Sequence, residues 1–112
     1  FVRVRFRACP GGPANRGRVD RSVTAALGPD ATLVNMASGE IVDEPALIEA
    51  LASGQLGSAG LDVFADEPNV PLALRQLDNV VLAPHLGSAT VETRHAMGES
   101  VVRALERLLV PG

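Results

Sequence analysis

Thr32-Leu33-Val34-Asn35-Met36, Asp43-Glu44-Pro45-Ala46-Leu47-Ile48-Glu49-Ala50-Leu51-Ala52-Ser53-Gly54 and Ser58-Ala59-Gly60-Leu61-Asp62-Val63-Phe64 follow one another in the chain and read as strand, helix, strand. The middle segment is the anchor. Asp43 is a good N-cap, because a short carboxylate can accept the orphan N–H groups of a first turn. Pro45 falls inside that turn, where a missing N–H costs nothing. Leu47 and Leu51 stand four apart with Ile48 and Ala50 beside them, and Gly54 supplies the stop. The two flanking apolar runs are short and end at Gly39 and at the polar stretch after Phe64.

Working outward, the pattern repeats. Val2 to Phe6 alternates like a strand and is broken by Cys9-Pro10-Gly11-Gly12-Pro13. Asp20 to Leu27 reads as a short helix closed by Gly28-Pro29. Leu72 to Leu77 is a helical turn, and Asn79 to Ala83 is another apolar run. Thr90 caps a last helix that reaches Leu109, with Met97, Val101, Leu105 and Leu108 as its apolar stripe. That helix would span roughly 30 Å, long for a domain of this size. Strands alternating with helices at these intervals predict an α/β fold with a doubly wound parallel sheet and flanking helices. In such sheets ligands sit at the carboxyl ends of the strands, which marks the loops after Phe6, Met36, Phe64 and Ala83.

The composition excludes several classes. With 46% hydrophobic and 21% charged residues the chain reads as a folded domain, not a disordered one. Its 112 residues make one small domain, short for a complete nucleotide-dependent enzyme. No apolar run approaches the roughly 20 residues of a membrane span, and residues 1–8 form no signal-peptide core. A single cysteine, Cys9, permits no internal disulfide, so a cytoplasmic setting is expected. Six of the ten basic residues lie in the first 21 positions, all arginine, against Asp20 alone. No aromatics interleave with them and no helix-turn-helix or zinc spacing follows, so nucleic acid is not expected as a partner. Two histidines and one cysteine show no metal-ligand spacing.

Chemistry gathers in the last two loops, Leu61-Asp62-Val63-Phe64-Ala65-Asp66-Glu67-Pro68 and Ala83-Pro84-His85-Leu86-Gly87-Ser88-Ala89-Thr90. Glu67 and His85 both follow strands at one sheet edge. Alone, each reads as a common surface residue. Together, a carboxylate that reaches an imidazole fixes its tautomer and raises its pKa, giving a general acid usable near neutral pH. Reducing a ketone by hydride transfer requires such a proton donor. His95, next to Arg94 on the last helix, reads as solvated, and Cys9 as a small packing residue.

Three ordered blocks, Val34 to Glu44, Ala59 to Phe64 with Glu67-Pro68, and Asn79 to His85 with Gly87-Ser88-Ala89-Thr90, resemble the D-isomer-specific 2-hydroxyacid dehydrogenases. The likeness runs from about Ala8 to the end and is strongest toward the hydroxypyruvate and glyoxylate reductase branch. It implies the second half of a Rossmann-type sheet, residues 1–112 forming part of an NAD(P)-binding domain. It also implies NAD or NADP as cofactor, a small 2-keto or 2-hydroxy acid as substrate, and a homodimer for the complete enzyme. By the same resemblance His85 is the proton donor and Glu67 the carboxylate that orients it. Asp62 matches an aspartate near the nicotinamide. Cys9, Pro10, Ala37, Ser38, His85 and Gly87 match positions beside the cofactor, and His85 and Ser88 positions beside the substrate.

Two departures bear on activity. The family's Ala-Arg-Gly stands here as Ala37-Ser38-Gly39, so serine occupies the place of the arginine that grips the substrate carboxylate. Charge-assisted hydrogen bonds are worth about 1.5–3 kcal/mol each, so the loss corresponds to roughly 10²–10⁴ in rate. The glycine-rich phosphate loop expected upstream is not among these residues. The helix at 90–109 is expected to cross to a substrate domain, leaving its apolar stripe partly exposed. A non-catalytic nucleotide-binding or interaction module, and an inert truncated product, therefore stay open beside the oxidoreductase reading. Arg3, Arg5 and Arg7 leave one face of the first strand charged, which fits either a sheet edge or sequence unrelated to the family before Ala8.

Overall fold

The computed structural model describes the backbone of residues 3–7 and all of residues 10–109; Val2 and Cys9, on which sequence expectations fell, lie outside the described residues. Four strands form one parallel sheet in the order β1 (Arg3–Arg7), β2 (Ala31–Asn35), β3 (Ser58–Leu61), β4 (Val80–Leu82). Helices α1 (Arg21–Leu27), α2 (Glu44–Ala52) and α3 (Leu72–Arg75) connect them in turn, and α4 (Val91–Leu109) follows the last strand. Chain order and spatial order coincide, so every strand-to-helix loop opens at the same edge. This is the parallel sheet expected from the alternation of elements, in the Rossmann-type arrangement that the family resemblance implies.

Local chemistry sets most boundaries. The Asp20 carboxylate accepts from Ser22 and Val23 N–H and starts α1. Asp43 accepts from Ala46 N–H at 3.1 Å and starts α2, with Pro45 in its first turn. Beyond α2, Gly54 takes φ = 76°, a left-handed conformation that glycine adopts without a Cβ penalty. Thr90 Oγ1 accepts from Thr93 N–H at 3.2 Å at the head of α4.

The core lies on one side of the sheet. Ala31 and Leu33 from β2 and Ala59 and Leu61 from β3 are buried with Leu47, Ala50 and Leu51 of α2 and Leu74 of α3. Val23 and Leu27 of α1 pack against this cluster. On the other face, Thr32, Val34, Ser58, Gly60 and Val81 are half-buried or exposed, and none is buried. The alternation along β2 follows from its pleat, successive side chains pointing to opposite faces.

Two features depart from the sequence reading. β3 stops at Leu61 instead of continuing to Phe64. Asp62 N–H still bonds Asn35 O at 3.0 Å, after which Val63 and Phe64 are buried inside a loop. A 3₁₀ turn, Gly39–Ile41, was not expected; it lies where the loop after β2 presses onto the loop after β3. A Cβ on Gly39 would run into the Phe64 carbonyl, so only glycine permits this approach. By contrast α4, whose apolar stripe was expected to lie partly exposed, buries no residue at all. It draws the molecule out to 59 Å and a radius of gyration of 17.2 Å, against about 13 Å for a compact domain of this length.

Candidate active site

Glu67 and His85 meet, as their positions after β3 and β4 suggested. His85 Nδ1 lies 2.8 Å from Glu67 Oε2. The other carboxylate oxygen, Oε1, accepts from Phe64 N–H at 3.0 Å. Glu67 is therefore held from behind by backbone and faces the imidazole with its free oxygen. Because a carboxylate can only accept, the imidazole carries its proton on Nδ1 toward Glu67 and presents Nε2 outward. The hydrogen bond and charge of Glu67 raise the His85 pKa above its ordinary value. The His85 bond and the Phe64 amide lower that of Glu67. The side chains are 58% and 35% exposed, so the pair is open to a reactant.

The turn bearing His85 is unusual. His85 has φ = 55° and Ser88 φ = 63°, left-handed conformations at two non-glycine residues three positions apart. Asp62, buried at the end of β3, reaches under this turn: Oδ1 accepts from Leu86 N–H at 2.6 Å and Oδ2 from Gly87 N–H at 2.7 Å. One strand over, buried Asn35 ties down the loop after β2. Its Oδ1 accepts from Ala37 N–H at 3.2 Å and its Nδ2 donates to Ser38 O at 2.9 Å.

Ser38 is half-buried and makes no hydrogen bond to Glu67 or His85 among the described residues. It faces the preceding loop instead: a Cβ on Gly11 would lie 2.8 Å from its hydroxyl oxygen. Glu40, two residues on, accepts from Gly12 N–H, and Asn15 Nδ2 donates to exposed Pro10 O at 2.8 Å. So Pro10, Ala37 and Ser38 share one corner of the edge while Asp62, Glu67, His85, Gly87 and Ser88 share the other. An apolar groove of about 330 Å³ runs between β2 and the His85 turn, lined by Val34, Met36, Gly60, Asp62, Val81 and Gly87 among others. A second cavity is lined by His85, Gly87, Ser88, Arg94 and Met97.

Residues 4–87 match the model of the D-isomer specific 2-hydroxyacid dehydrogenase, NAD binding domain. The chain belongs to this family. The match begins at residue 4, so β1 is part of it and the likeness starts earlier than Ala8, where the sequence reading placed it. Among similar proteins, hydroxyphenylpyruvate reductase of Plectranthus scutellarioides is 54% identical over 99 residues, 88% of this chain and 32% of the relative. Glyoxylate/hydroxypyruvate reductase A of Arabidopsis thaliana gives the same identity and coverage. The structure of an NADPH-dependent glyoxylate/hydroxypyruvate reductase from Sinorhizobium meliloti, in complex with NADP and malonate, superposes with a TM-score of 0.92 at 44% identity. That superposition covers 97% of this chain and 34% of the other. The chain spans about a third of the length of the curated relatives it matches.

Within this dehydrogenase domain, several residues now at the site were not singled out from sequence. Asn35 is a polar residue inside an apolar strand run, a signal that was present. Glu40 and Arg94 carried no such signal, because their placement depends on neighbouring loops and on the direction of α4. His95 is exposed, as expected, and lies 3.5 Å from Glu99. No described helix is long and apolar enough to cross a membrane. Arg16 and Arg21 pair with Glu40 and Glu49, so part of the basic amino-terminal excess is met within the chain.

Proposed function

We propose that this chain contributes the proton-transfer half of an NAD(P)-dependent D-2-hydroxyacid dehydrogenase that reduces a small 2-keto acid such as glyoxylate or hydroxypyruvate. The observation that carries the reading is the Glu67–His85 pair, 2.8 Å apart, at the carboxyl edge of the sheet. An apolar groove along the open face of the sheet, with Val34, Met36 and Val81 in its wall, ends at Asp62 and Gly87 beneath the His85 turn. When bound, the reduced cofactor supplies the hydride. His85, protonated on both nitrogens and stabilised in that form by Glu67, then gives its Nε2 proton to the carbonyl oxygen as negative charge develops there and is left neutral with Nδ1–H on Glu67. In the reverse direction the same nitrogen accepts the proton of the hydroxyl.

Substrate grip is the weak part. Ser38 offers one neutral hydroxyl where a guanidinium is expected by resemblance. Arg94 lines the cavity it shares with His85 and Ser88 and makes no ion pair among the described residues. In this reading it is the cation available to a substrate carboxylate. A homodimer and a cytoplasmic setting belong to the same reading. So does the passage of α4 toward a substrate domain, with residues 1–112 as the carboxy-terminal half of the nucleotide domain.

The test is cofactor oxidation driven by hydroxypyruvate or glyoxylate in a polypeptide that completes this chain. Ser38→Arg should raise kcat/KM by roughly 10²–10⁴, the value of the recovered charge-assisted bonds. No turnover in either form would overturn the dehydrogenase reading. Ser38 also favours a second reading, a nucleotide-binding module without turnover. NAD(P)H binding by fluorescence with no reduction in either form would favour it, and no binding by the folded protein would favour an inert product.

A further inference from the structure

Asp62 and Asn35 are buried, polar and adjacent at the carboxyl edge, and Asp62 makes no ion pair among the described residues. Asn35 O accepts from Asp62 N–H at 3.0 Å, so the two residues share one backbone link across β2 and β3. Each then turns its side chain on a loop. Asn35 holds its own loop through Ala37 N–H and Ser38 O. Asp62 skips its own loop and takes two amides of the next one, Leu86 and Gly87.

A carboxylate only 7% exposed requires compensation, and two charge-assisted bonds at 2.6 and 2.7 Å provide it. The turn gains as much as the carboxylate. Left-handed conformations at His85 and Ser88 are sparsely populated for such residues and persist only where surroundings impose them. The two clamped amides lie between those two residues in the chain. Fit is close as well: a Cβ on Gly87 would stand 3.0 Å from Asp62 Oδ2, so glycine is what lets the carboxylate approach squarely.

We infer that Asp62 is a positioning residue for His85, its buried carboxylate holding the left-handed turn that aims the imidazole at Glu67, with Asn35 anchoring the neighbouring loop through the same backbone link. Asp62 thus acts through His85, whatever it also meets when cofactor is present. The catalytic meaning of this clamp rests on His85 serving as proton donor, but the clamp itself is measurable without cofactor or substrate. Failure of the dehydrogenase reading and failure of the clamp are therefore separable.

The experiment is nuclear magnetic resonance on the cofactor-free chain, following Leu86 and Gly87 amides and the His85 ring nitrogens. Asp62→Asn exchanges one carboxylate oxygen for an amide NH2, so one of the two backbone donors now meets a donor and the other keeps only a neutral acceptor. With core methyl signals retained, amide exchange at Leu86 and Gly87 should rise at least tenfold and the hydrogen-bonded Nδ1 signal of His85 should weaken. Unchanged amides and an unchanged ring would overturn the proposal. Gly87→Ala serves where Asp62→Asn does not fold: it keeps every buried group and the charge of Asp62 but crowds Oδ2. Disturbed His85 nitrogens in that variant support the clamp, and a ring identical to the parent's overturns it.

Discussion

Helices α2 and α4 are both amphipathic, both capped by a side-chain oxygen at the first turn, and end in opposite circumstances. Ala46, Leu47, Ala50 and Leu51 of α2 are buried against the sheet, whereas α4 buries nothing and leaves Leu105 49% and Leu108 80% exposed. The comparison separates two things that a periodic sequence encodes together. Spacing of apolar residues specifies that a helix forms and which side is sticky. What covers that side depends on a surface elsewhere, and for α4 no described element of this chain supplies it.

The largest difference is expected when the same side chain is cut from each helix. Leu47→Ala removes a side chain with no exposed surface and should cost about 2–5 kcal/mol in urea unfolding, the transfer loss plus the cavity left behind. Leu105→Ala should stay within about 0.5 kcal/mol in the same assay, as surface substitutions do. A loss at Leu105 approaching that at Leu47 would mean that the α4 stripe is covered in solution. Dependence of that loss on protein concentration would identify the cover as a second copy.

A smaller effect is expected where loops instead of helices are packed. Gly39→Ala pushes a methyl group into the Phe64 carbonyl, so the loops after β2 and β3 must separate. Overpacking of this kind costs about 1–3 kcal/mol. The same substitution at Gly54, where a Cβ meets open space, strains only the local φ of 76°. If the two variants lose equal stability, the Gly39 contact is not what joins the two site loops.

Much of this was legible in the sequence, and the reason is locality. Caps at Asp20, Asp43 and Thr90 act within three residues, so helix starts can be read from neighbours alone. Glu67 and His85 were readable as a pair because a parallel sheet whose spatial order follows chain order places consecutive loops side by side. The early end of β3, the 3₁₀ turn at Gly39–Ile41 and the reach of Asp62 to Leu86 and Gly87 were not readable. Each depends on register between strands far apart in sequence, a quantity that composition and periodicity leave undetermined. Arg94 is invisible for the same reason, since its place beside His85 depends on how α4 leaves the sheet.

The smallest expected effect is on charge, and it bears on the contrast between the packed side and the open edge. Glu67 raises the His85 pKa from its ordinary 6.5, so this contribution to stability is fully present below 6.5 and is lost as pH climbs through the raised value. His85 and the Phe64 amide lower Glu67 from its ordinary 4.5, so its contribution is present above 4.5 and is lost as pH falls through the lowered value. Both are at full strength between about 4.5 and 6.5. Glu67→Gln keeps the hydrogen-bonding shape and removes the charge. The ring-proton titration midpoint of His85 should then fall toward the ordinary imidazole range, and the stability advantage of the parent within that window should shrink while the folded state persists. Because the pair is solvent-open, added salt should reproduce part of the same shift in the parent. A midpoint that ignores Glu67→Gln would mean that the charge on His85 is governed from elsewhere, and the other carboxylate that raises it is the one beneath its turn, Asp62.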